Sequence, residues 1–102
     1  MAVTKRVFES GETSFEPRYF EIEPQGYTSF EKHAHEHFVV VLRGKGQVRL
    51  DDQEYDLNLH DMVHVKPNTP HQFSNPTSEP FGILCVVDKE RDRPVLLEGS
   101  TQ

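Results

Sequence analysis

At 102 residues the chain suits one domain and is too short for two. Its hydrophobic fraction of 34%, with 10% aromatic, supports a thin core, which fits a two-layer β architecture better than a thick helical one. Eleven basic residues against 17 acidic give a net charge of −6, a field that repels a phosphate backbone. The nearest approach to a basic patch, Arg43, Lys45 and Arg49, surrounds a Gly-rich turn and reads as solvated charge, with at most a minor part in steering an anion. The single cysteine, Cys85, excludes an intrachain disulfide and agrees with a reducing compartment. Met1 to Gly11 is charged and has no apolar stretch of the secretory kind. The longest clean apolar run, Phe38 to Leu42, is far short of a membrane span. A soluble, cytoplasmic protein is expected, with no nucleic-acid or membrane partner.

In chain order, residues 1–16 are polar and mixed, and read as an N-terminal arm or added edge strand. Residues 17–90 read as the main barrel. Phe20 and Ile22 alternate with Glu21 and Glu23, a period of two. Pro24-Gln25-Gly26 punctuates, and Tyr27 to His33 is the next expected strand, followed by Phe38 to Leu42. Gly44-Lys45-Gly46 makes a turn, Val48 and Leu50 alternate with polar residues, and Asp51-Asp52-Gln53 turns back toward Tyr55, Leu57 and Leu59. Met62 to Val65, His71 to Ser74 and Phe81 to Val87 complete the set, separated by turns rich in Pro and Asn. Short strands at such intervals predict an all-β sandwich or closed barrel. The tail, 91–102, holds Pro94-Val95-Leu96-Leu97, an apolar piece able to pack on the barrel or on a second subunit.

The segment that carries chemistry is Glu31-Lys32-His33-Ala34-His35-Glu36-His37. Glu31, His33, His35 and His37 fall at alternate positions, so on a strand they share a face. Histidine is the commonest ligand of transition metals. One straight strand would set Glu31 and His37 about 20 Å apart, so a strand, a tight turn and a second strand are needed to bring the ends to one ion. A polar strand with histidines on its wet face is the plainer alternative. His71, delivered by the Pro67-Asn68-Thr69-Pro70 turn, supplies a possible ligand from a distant stretch of chain. Glu36 reads as a solvent-facing turn residue, or a general base near the ion. His64 sits on its strand with no evident partner.

These two segments resemble the two motifs of the small single-domain cupins, the cupin 2 conserved barrel family. The resemblance covers roughly residues 20–87 and implies a double-stranded β-helix, or jelly-roll barrel, holding one divalent metal. An ungapped alignment sets Glu31 and His33 at the two His positions and His37 at the usual Glu, with six residues between it and Gly44. A gapped alignment keeps His33 and His35 as the pair. The resemblance therefore implies metal ligands drawn from Glu31, His33, His35, His37 and His71. In the second motif His71 and Asn75 match, while His60 and Asn68 replace glycines. Both types tolerate positive φ, which gives His60 a structural reading.

A ligand set with free coordination positions implies a metal-dependent enzyme on a small organic molecule, dioxygenase-like ahead of isomerase-like. The alternative is a non-catalytic module that binds or senses a small ligand or metal. Iron, manganese, nickel, zinc, cobalt and copper all suit imidazole ligands. Tyr27, Phe30, Phe38, Phe73, Phe81 and Cys85 are candidates for the pocket wall. Metal should be released below about pH 6, as ordinary imidazoles protonate. A thin core and the habits of small cupins lead us to expect a homodimer, paired through edge strands.

Overall fold

The computed structural model describes residues 3–7 and 12–97, and all regular structure among them is β-strand. Residues 1, 2, 8–11 and 98–102 lie outside the described residues, so the reading of Met1 to Gly11 is only partly covered. The described residues form ten strands: β1 (Val3–Val7), β2 (Phe15–Ile22), β3 (Glu31–Lys32), β4 (His37–Arg43), β5 (Gly46–Leu50), β6 (Gln53–Leu57), β7 (Met62–Val65), β8 (His71–Ser74), β9 (Phe81–Asp88) and β10 (Val95–Leu96). They build two five-stranded antiparallel sheets, ordered β1-β2-β9-β4-β7 and β10-β3-β8-β5-β6. The expected all-β barrel of jelly-roll type is what the chain forms.

Side-chain alternation decides which face of each strand is buried. Along β4, His37, Val39 and Val41 are buried while Phe38 and Leu42 are exposed. Along β9, Ile83, Cys85 and Val87 face inward, each opposite an inward residue of β4. Val48 of β5, Leu57 of β6 and Phe73 of β8 meet them from the second sheet, and fully buried Phe81 joins the same core. Each such side chain contributes about 1.5–3 kcal/mol through burial. One end of this interior is apolar; at the other the inward positions are taken by His37 and His71.

The turns satisfy the backbone as the sequence required. Gly44 adopts φ +67°, and a Cβ there would lie 2.2 Å from the Pro80 carbonyl oxygen. His60 and Asn68 have φ of 72° and 61°, the left-handed conformation expected where they stand in for glycine. Asn75 is buried and structural. Its amide donates to the carbonyls of Ile22 (2.9 Å) and Glu79 (2.7 Å), and its oxygen accepts from the Thr77 backbone N–H (3.0 Å).

Two elements differ from expectation. The expected strand over Tyr27 to His33 is regular only at Glu31–Lys32. Upstream, single contacts to β8 replace a ladder: Thr28 N–H donates to the Phe73 carbonyl, Thr28 Oγ1 accepts from Phe73 N–H, and Gln72 Nε2 donates to the Thr28 carbonyl. These satisfy the backbone without a continuous strand. In contrast β2 begins earlier than its alternation suggested, at Phe15, because β9 offers it a full-length partner from Asp88 to Phe81.

Candidate metal centre

The bend anticipated within the histidine segment is present. The chain leaves β3 at Lys32, turns through His33 to Glu36 and enters β4 at His37. Asp92, from the segment after β9, clamps this turn. Its Oδ2 accepts from Ala34 N–H (2.7 Å), and its Oδ1 accepts from His35 N–H (2.9 Å) and meets His35 Nδ1 (2.8 Å). These donors hold the Asp92 carboxyl well below the usual carboxylate range. His71 enters from β8, which pairs through Glu31 with β3 and through Leu50 with β5.

His33, His37 and His71 converge. All three are buried, and one ligand atom from each lies within 4.8 Å of the others. Their ring centroids stand 4.9 Å (His33–His37), 4.8 Å (His33–His71) and 4.8 Å (His37–His71) apart, at interplanar angles of 64°, 67° and 60°. Three rings so evenly spaced and fanned form a near-threefold set around one point.

The outer nitrogens are already engaged. His33 Nδ1–H donates to the His35 carbonyl (2.7 Å), and His71 Nδ1–H donates to the Thr69 carbonyl (2.8 Å). A carbonyl only accepts, so these bonds fix the proton on Nδ1 and leave Nε2 with a free lone pair, as in metal-ligating histidines. His37 Nδ1 meets the Cys85 sulfur at 2.9 Å, while its Nε2 is buried with no hydrogen-bond partner. An orphaned buried Nε2 beside two other free imidazole nitrogens suits a divalent transition ion. Burial pushes His37 down to about 2 and His71 down to about 4, and it lowers His33 as well. The rings are therefore neutral, the state that binds metal.

The set forms part of the wall of a cavity of about 270 Å³. Glu31 and His35 line this cavity but stand outside the group of three. His35 stacks on His33, with centroids 3.6 Å apart and planes 6° from parallel, and its Nδ1 is taken by Asp92. The Glu31 carboxyl is raised by burial, an effect tempered by His33, Arg18 and Lys5. Of the pocket-wall candidates, Phe73 and Cys85 line the cavity. Phe81 is core, Phe30 packs beneath the Arg49 guanidinium, and Phe38 faces outward. Glu36 and His64 pair with each other at the surface and stand outside the group of three. Sequence reasoning did not single out Lys5, Arg18 and Arg91, which line the cavity, or Asp92. Their partners lie far along the chain, and local spacing carries no signal for them.

Comparison with known proteins adds a family. Residues 18–87 match the model of the cupin domain. The chain is 38% identical over 96 residues to the 1-methylthio-D-xylulose 5-phosphate methylsulfurylase of Rhodospirillum rubrum, covering 93% of this chain and 62% of that protein. It therefore spans less than two thirds of this relative's length. A crystal structure of a cupin-2 domain from Rhodospirillum rubrum superposes with a TM-score of 0.90 at 36% identity, over 97% of this chain and 68% of that one. The salicylate 1,2-dioxygenase of Pseudaminobacter salicylatoxidans gives a TM-score of 0.78 at 15% identity, over 85% of this chain and 26% of that one, a likeness of fold alone. The domain match spans well over half of the sequence, and the two-sheet barrel agrees with it: the chain belongs to the cupin domain family.

Proposed function

We propose that the chain is a metal-dependent enzyme acting on a small organic molecule, with His33, His37 and His71 as the metal ligands. The observation that carries this reading is the fan of three buried imidazoles, one with an orphaned Nε2, in the wall of a cavity. A divalent ion held there would supply Lewis acidity toward a substrate oxygen. The chain's own groups fix the ring orientations through the His35 and Thr69 carbonyls and Cys85, and partly enclose the reacting end of the substrate. Among the described residues lining the cavity Glu31 is the one carboxylate, and it can take or return a proton at a carboxylate oxygen.

Three neutral imidazoles favour Lewis-acid group transfer or isomerisation ahead of dioxygen chemistry, reversing the order expected from sequence. The familiar oxygen-activating iron set pairs two histidines with a carboxylate, whereas three imidazoles leave the full ionic charge to polarise a substrate. The methylsulfurylase relative, named for a thioether-bearing sugar phosphate, supports the same order.

Elemental analysis of the untagged protein, beside His71→Ala, Glu31→Gln and His35→Ala variants, tests the ligand set. We expect close to one transition-metal ion per chain, about a tenfold loss in His71→Ala, and no loss in the other two. Turnover is then sought anaerobically with carbonyl-bearing sugar phosphates and thioethers, and aerobically with phenols and dicarbonyls. Anaerobic turnover supports the reading, and oxygen uptake restores the dioxygenase. A protein that takes up no metal overturns the proposal, and one that holds metal without turning over either panel is a binding module.

A further inference from the structure

The metal cavity has a cationic side. Lys5 on β1 and Arg18 on β2 both line it, and both flank the ring of Phe20. The Lys5 Nζ lies 5.8 Å and the Arg18 Cζ 5.2 Å from the Phe20 centroid. One terminal nitrogen of Arg18 donates to the Cys85 sulfur (3.2 Å), and its Nε is buried without a partner. The cavity's third cation, Arg91, is committed to Glu16 (2.8 Å) and to the Asp88 carbonyl (3.0 Å). Arg43 is likewise bound to Glu21 (3.0 Å). Among the described residues, neither Lys5 nor Arg18 forms an ion pair: Glu31, the carboxylate on the same cavity wall, feels both charges without contacting either.

A buried guanidinium donor with nothing to donate to is costly, because its desolvation is uncompensated. An arginine fork is also the side chain best matched to two oxygens of one oxyanion, and a nearby ammonium adds a second positive charge. We propose that Arg18 and Lys5 form an oxyanion anchor, which holds the carboxylate or phosphate of a small substrate while its reacting end faces the three imidazoles. The cavity, at about 270 Å³, limits that substrate to less than drug size. The reacting end rests on the proposed metal site, but the anchor does not, since its donors belong to other strands.

Calorimetric titration of metal-free full-length protein with inorganic phosphate, and separately with acetate, tests the anchor without any contribution from a bound ion. We expect saturable binding that weakens with added salt. It should fall about tenfold in Arg18→Met, fall less in Lys5→Met and be unchanged in Arg43→Met. Tighter binding of phosphate assigns the anchor to phosphomonoesters, and tighter binding of acetate to carboxylates. Lys5 is exposed on an edge strand, so its variant reports even if Arg18→Met folds poorly. His71→Ala should lose metal yet keep the anion, which separates failure of the anchor from failure of the metal centre. Absence of saturable binding to either anion, or equal binding by wild type and both cavity variants, overturns the proposal.

Discussion

The Nε2 of His37 has no partner within the protein, and its ring is among the most deeply set polar groups of the chain. Its low pKa, about 2, comes first from burial and then from the nearby His71 and His33 imidazoles; His71, at about 4, is lowered mainly by burial. In the unfolded chain the same imidazoles titrate near about 6.5. Below that value the unfolded state binds more protons than the folded one, so stability falls with falling pH. The contribution of these rings is complete above about 6.5 and is lost progressively as pH drops toward the folded values. Thermal scans of metal-stripped protein should therefore show a falling Tm from about pH 7 to about pH 5, several degrees for each kcal/mol lost. A flat Tm across that range would mean the rings are not buried neutral. The same shifts lower the threshold for metal release below the expected pH of about 6, because protons compete poorly for buried neutral nitrogens.

The turn between β3 and β4 decides whether His33 and His37 reach one point. Asp92 closes it with two backbone hydrogen bonds and a contact to His35, although it lies more than fifty residues away. Replacing Asp92 by Ala should leave the barrel intact and weaken metal binding about 10- to 100-fold, the usual penalty for losing a group that orients a ligand. Metal titration beside a thermal scan would separate this from general unfolding, and unchanged affinity would remove Asp92 from any positioning role. The strand–turn–strand at the histidines was legible because alternation and the need to fold back are local facts. So were the left-handed turns at His60 and Asn68, whereas the inward face of β4 was not: Phe38, a candidate for the pocket wall, faces outward. The Tyr27 to Phe30 stretch was misread because its composition suits a strand, whereas its hydrogen bonds depend on β8. Lys5, Arg18 and Asp92 were illegible for the same reason: strand register brings Lys5 and Arg18 to the cavity, and chain return brings Asp92 to the histidine turn.

At the scale of the molecule, the outer face of the first sheet carries an apolar patch, bordered by the His64–Glu36 pair, whose imidazole stacks on Phe38. Phe38 (49% exposed), Leu42 (48%) and Met62 (69%) lie on the outward side of β4 and β7, next to half-buried Val40, Leu84 and Val86. Scattered exposed apolar residues need no explanation, but a contiguous patch on one sheet face does. A two-fold axis would set this face against its own copy, because an isologous contact needs only one self-complementary patch. For the homodimer expected from the thin core and from edge-strand pairing, we propose the β4–β7–β9 face beside the short edge strand β7 as the surface to test. Light scattering at micromolar concentration should give twice the mass of the chain. A Phe38→Asp or Met62→Lys variant should run as a monomer, since either buries a charge in the centre of the contact. Both positions are exposed within the single barrel, so neither change disturbs its core. A wild-type protein that is monomeric at that concentration, with its variants behaving alike, would leave this face to solvent and the dimer without support.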